Sequence, residues 1–102
     1  MLKLELPMFN GDVNAEKLDN WIRQLEFYLR IHNLHDDDTK IQLASLRMDG
    51  AALVWWEAKT REEIKKYGKI TLTWNEFITA IKKKFYPLSH IQKAIMNWKN
   101  FR

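Results

Sequence analysis

The sequence predicts an all-α domain of about five helices preceded by an extended amino-terminal segment. Three observations carry that prediction. Only three glycines and two prolines interrupt 102 residues. Apolar side chains recur at the helical period over several long stretches, and helix-start signatures stand before those stretches. The length suits one domain with a single modest core, and 46% hydrophobic with 13% aromatic residues is a globular composition.

Each element has its own warrant. Leu2, Leu4 and Leu6 alternate with Lys3 and Glu5 before Pro7, the period of an extended chain. With no second strand evident, residues 1–10 are expected to lie along a groove, with Leu2, Leu4, Leu6 and Phe9 as its contacts. The "NGD" of Asn10 to Asp12 ends that segment as a turn. Asn14 can cap a first helix from Ala15 to about His32, with Leu18, Trp21, Ile22, Leu25, Tyr28 and Leu29 at helical spacing. After a short link at Asn33 and Leu34, one of Asp36 to Asp38 caps a second helix that carries Ile41, Ala44, Leu46 and Met48. Acids are favoured there by the helix dipole.

Asp49 offers the next cap, for a third helix over about residues 51–67 that ends at Gly68. Its second half is charged nearly all round and is expected to project into solvent. Thr73 and Glu76 form a capping box, after which Trp74, Phe77, Ile78, Ile81 and Phe85 mark one face of a fourth helix ended by Pro87. Ser89 and Gln92 repeat the box before a fifth helix with Ile91, Ala94, Ile95, Trp98 and Phe101 on one side. That helix stops with its apolar face open, so a longer parent polypeptide and dimerisation of this chain are both expected.

The same sequence argues against several function classes. Without cysteine there is neither a disulfide frame nor a thiolate zinc site, and a reducing, cytoplasmic setting is expected. No apolar run approaches the ~18 residues of a membrane span. His32 and His35 precede three aspartates, but their spacing straddles a helix end and a solvated acidic cap is the ordinary reading; His90 is isolated. Asp49-Gly50-Ala51 lacks the Ser or Thr that the aspartic protease signature places between Asp and Gly. With no nucleophile elbow and no glycine-rich phosphate loop, the expectation is a non-enzyme without metal or cofactor.

Charge and aromatic content point to interaction instead. Residues 1–51 hold nine acids against six bases, and residues 52–102 hold four against eleven. Such polarity can draw nucleic acid to the basic part or let copies meet acidic side to basic side. Lys82, Lys83 and Lys84, with Lys93 and Lys99, are candidate phosphate contacts, although a charge run is more often a solvated face. Five tryptophans are a large supply of the residue enriched where proteins recognise each other.

Taken in order, "PMFNGD", "LDNWIRQLEFYL", "DDDTKIQLASLRMDGAALVWWEAK", "LTWNEFITAIKKKFYP" and "IQKAIMNWKNFR" resemble the Gag capsid domain of Ty3/gypsy-type retrotransposons, the group from which domesticated Gag proteins such as Arc descend. The resemblance spans nearly the whole chain. It implies a small orthogonal helical bundle, the capsid amino-terminal lobe, over residues 1–87, and the first helix of a carboxy-terminal lobe over residues 88–102. It also implies a structural role, self-assembly into a virus-like shell around RNA, with the domesticated alternative of holding an extended peptide in an apolar groove.

Family core positions map onto Trp21, Trp55, Trp74, Phe77 and Phe85, to which the helical pattern adds Leu25, Ala52 and Ile81. Trp56, about 100° round the helix from Trp55, is then left for the groove or an interface, together with Ile91, Ile95 and Trp98. The implied partners are further copies of the chain, extended peptides, and RNA only indirectly or weakly through Lys82, Lys83, Lys84 and Lys93. Two departures stand out: residues 60–73 are longer than the counterpart in Arc, and the cysteine-histidine knuckle by which many Gag proteins bind RNA is missing.

Overall fold

The computed structural model describes residues 6–86, and within them the chain forms four helices: α1 (Ala15–Ile31), α2 (Asp37–Ser45), α3 (Gly50–Tyr67) and α4 (Trp74–Phe85). The expected fifth helix, with Ile91, Lys93, Ile95 and Trp98, lies outside the described residues, as do Leu2 and Leu4.

Local chemistry sets most boundaries. The Asn14 side chain accepts the Lys17 N–H at 3.1 Å and starts α1. At its other end Asn33 takes a positive φ of 53°, the Asn33 N–H donates to the Arg30 carbonyl, and the Leu34 N–H reaches back to the Leu29 carbonyl at 2.9 Å. That pair of bonds is a Schellman ending, with asparagine in the left-handed position. Asp36 caps α2 by accepting from both the backbone N–H and the hydroxyl of Thr39, and these bonds hold its carboxyl below the usual pKa. The Thr73–Glu76 box opens α4 with both reciprocal hydrogen bonds in place.

Two expectations about α2 and α3 change. α2 stops at Ser45, so Leu46 is not on its packed face and stands 73% exposed. Met48 is buried for a different reason: it pairs in parallel with Phe9 as an isolated bridge. Asp49 occupies the cap position of α3, but its side chain makes no capping hydrogen bond. Its backbone N–H instead donates to the Phe9 carbonyl at 3.0 Å, and the Ala52 N–H donates to the Asn10 carbonyl. The extended segment therefore supplies the acceptor that a free helix start lacks.

This close approach depends on two glycines. Gly11 has φ +92°, and a Cβ there would meet the Ala52 backbone nitrogen at 2.7 Å. Gly50 has φ +52°, and its Cβ would lie 3.0 Å from the Asn10 carbonyl oxygen. A side chain at either position would push the segment off α3.

The core is one cluster built from every element. α4 packs on α1 and α2, with Phe77, Ile81 and Phe85 buried against Leu18, Trp21, Ile22, Leu25, Ile41 and Ala44. Leu6 and Phe9 of the extended segment close it; Phe9 lies between Trp21 and Phe85, its ring centroid 5.4 Å and 5.3 Å from theirs. Polar bonds pin both ends of α4 to α1: Trp74 Nε1 donates to Glu26, and the Tyr86 hydroxyl donates to Asp19. Since 26 follows 19 while 86 follows 74, the two helices run antiparallel.

Candidate functional site

The adjacent tryptophans of α3 organise the exposed side of the bundle. Ala52 is fully buried, and the residue one turn later on the same line is Trp56, which is only 6% exposed. Its ring meets Phe77 edge-on at 5.1 Å. Trp55 is half-buried, packed against the cluster rather than within it, and edge-on to Phe85 at 5.6 Å. The expected roles are thus exchanged: Trp56, assigned to the groove or interface, is the core residue, and Trp55, assigned to the core, borders solvent. The seam runs by i, i+4 from Ala52, which selects 56, whereas the family pattern selected 55.

Trp55 thus meets the end of α4 and Trp56 its middle, so α3 touches α4 through bulky rings. Between them lies a groove. One part, about 330 Å³, is lined by Trp55, Lys59, Ala80, Lys83 and Lys84. A second part, about 400 Å³, shares Lys59, Ala80 and Lys83 and continues to Leu72, Asn75, Glu76 and Thr79. The floor is apolar and aromatic, and the rim at the Trp55 end is cationic.

The lysine run divides along this edge. Lys83 and Lys84 line the groove, while Lys82 turns to the other side with its ammonium 5.8 Å from the centre of the Tyr86 ring. Lys59 joins Lys83 and Lys84, a residue the sequence reading left out of the basic cluster. The signal was present, since residues 55 and 59 are four apart and share a helix face. Lys93 lies outside the described residues.

A different depression of about 330 Å³ runs between the extended segment and α1, lined among others by Pro7, Phe9, Asn10, Asp12, Lys17 and Trp21. Leu6 and Phe9, the described members of the proposed groove segment, are buried in the bundle's own core. The Trp21 indole N–H, though buried, finds no acceptor among the described residues.

The three aspartates at the start of α2 serve structure. Asp36 caps the helix, Asp37 accepts the Trp74 backbone N–H at 3.2 Å, and Asp38 accepts from Gln42. Among the described residues no group of three or more His, Asp or Glu side chains could hold a metal ion, and no helix is long and apolar enough to cross a membrane.

Four helices around one core, with recesses that are open surface grooves, make a small helical lobe. Over residues 3–86 the chain matches the family described as retrotransposon-derived protein PEG10, N-terminal capsid-like domain. It belongs to that family, and it is the amino-terminal lobe of a Gag-type capsid domain. No curated protein and no solved structure gives a significant match to the chain.

Proposed function

We propose that this lobe is a structural building block of a Ty3/gypsy-type Gag protein, which self-assembles in the cytoplasm into a virus-like shell around RNA. The observation that carries the reading is membership of the capsid-like family over residues 3–86. It is supported by apolar side chains left on the outer faces of helices that are otherwise well packed: Phe27 and Ile31 lie one turn apart on α1, and Val54 is 66% exposed on α3. Weak apolar contacts, repeated by symmetry and joined by the acidic and basic halves of the chain, are what a shell of many copies needs. In this scheme residues 1–87 form the amino-terminal lobe and residues 88–102 begin the carboxy-terminal one. The protein carrying this lobe, purified and viewed by electron microscopy across a range of ionic strengths, is expected to form closed particles. Absence of particles at every ionic strength would count against assembly.

A second reading is a domesticated lobe that binds extended peptides. It is favoured by the way residues 6–10 lie in extended form, burying Leu6 and Phe9 and bonding to the backbone on both sides of Met48. A peptide of another protein could take the same path. A chain lacking residues 1–8, titrated with a peptide of residues 2–9, should release heat and shift backbone resonances; silence in both signals removes this reading.

A further inference from the structure

We propose that the α3–α4 groove is a single-stranded nucleic-acid contact, with Trp55 as the stacking surface and Lys59, Lys83 and Lys84 as phosphate contacts. It stands apart from the assembly reading, since a lobe can bind nucleic acid whether or not its copies form a shell.

Four observations lead to it. Trp55 is a large aromatic ring left half-open on a helix whose other tryptophan is buried. Three lysines surround that opening. Within the described residues none of the three is in an ion pair; the salt bridge there joins Lys17 and Asp12, at the far end of the sequence. The groove also continues past Trp55 along Ala80, Thr79, Asn75 and Leu72, so its lining extends along α4 beyond the Trp55 ring.

The occupant follows from what the walls offer. An extended peptide binds tightly when it can add to a free sheet edge, but apart from Leu72 the lining residues here belong to helices whose backbone groups bond within their own turns. A partner helix needs a continuous apolar stripe at i, i+3, i+4 and i+7, whereas this floor has two large apolar contacts, Trp55 and Leu72, with lysines between. A single strand asks for less: an aromatic face, which any base can use, and cations spaced along the backbone. Duplex is disfavoured because its bases are already stacked and cannot reach the Trp55 ring. Glu76 lines the far part of the groove and limits the cationic stretch to the Trp55 end.

The test uses the whole 102-residue chain and a fluorescently labelled oligouridylate of about 12 nucleotides, with oligothymidylate and a polyglutamate peptide as comparisons. Anisotropy titrations should show binding that weakens with salt at a log–log slope of about −2, as three phosphate contacts on a single strand require. Between about 50 mM and 200 mM salt that is a loss of roughly 20-fold. In a heteronuclear spectrum the Trp55 indole N–H signal should move on addition of oligonucleotide, while the Trp56 signal, from a buried ring, stays nearly in place.

The triple variant Lys59→Gln/Lys83→Gln/Lys84→Gln changes side chains outside the core, so it should fold, and it should lose both the binding and the Trp55 shift. Lys82→Gln should bind as the parent does. The proposal is overturned by a flat salt response, by binding that survives in the triple variant, by no binding at all, or by a Trp55 shift with polyglutamate in place of the oligonucleotides.

Discussion

At the scale of single residues the tryptophan pair decides most. Trp56 is buried beside Phe77, so truncation to alanine opens a cavity in the core and should cost ~3–5 kcal/mol. Trp55 keeps part of its ring in water already, and the same truncation should cost roughly 1–2 kcal/mol. Urea unfolding of Trp55→Ala and Trp56→Ala checks the order; equal losses, or a larger loss at Trp55, would contradict the packing described. What the sequence could say here was limited by geometry. Helical spacing showed that two adjacent tryptophans cannot share one direction, and it marked Ala52 as a small residue on a packed face. Choosing between 55 and 56 required the angle at which α4 crosses α3, which depends on both helices and is written in neither alone.

Elements were the most legible scale, because their ends are local chemistry. Asn14, the Asp36–Asp38 run, Gly68 and the Thr73–Glu76 box stand in the sequence where helices begin or end. The start of α3 was less legible for a nonlocal reason: its acceptors come from Phe9 and Asn10, some forty residues away in sequence. Asp49 looked like a cap by residue type, and it is in the cap position, but the extended segment does the hydrogen bonding. The shortened α2 has a related cause. Met48 is apolar and falls near the helical period, yet it is the bridge to Phe9 that buries it.

The end of α4 gives a prediction at this scale. Partial burial, and secondarily the hydrogen bond and the charge of Asp19, push the Tyr86 phenol up to about 12 from its ordinary value of 10.0. In the native state the proton is therefore kept over a range where the unfolded chain gives it up. Stability from this contact is fully present below pH 10 and is lost as pH rises from there toward 12. Tyr86→Phe should be less stable than the parent near neutral pH, and its stability should fall less steeply across that alkaline window. Urea midpoints measured for both proteins from neutral to alkaline pH provide the comparison. Parallel curves would mean that Tyr86 does not secure α4 to α1.

For the whole molecule the question is how charge is laid out along the bundle. The start of α4 is tied to Asp37, within the acidic run that opens α2, through the Trp74 backbone N–H. Lys82, Lys83 and Lys84 lie eight to ten residues further along the same helix, which at 1.5 Å per residue is about 12–15 Å away. An acidic end and a basic end on one short axis favour head-to-tail contact between copies, a heterologous arrangement that can propagate into rings. Such contacts are exposed and individually weak, so they depend on ionic strength.

The isolated chain, freed of nucleic acid, is therefore expected to show a light-scattering mass above its 12.3 kDa at high protein concentration and low ionic strength. That mass should return to the monomer value in about 1 M salt, where the Debye length is only about 3 Å. Lys83→Glu/Lys84→Glu should lower the mass at low ionic strength by reversing the basic end. An association that persists unchanged in high salt would instead place the contact on apolar faces such as that of Phe27 and Ile31, and the variant with Phe27→Ser would then be the one to dissociate.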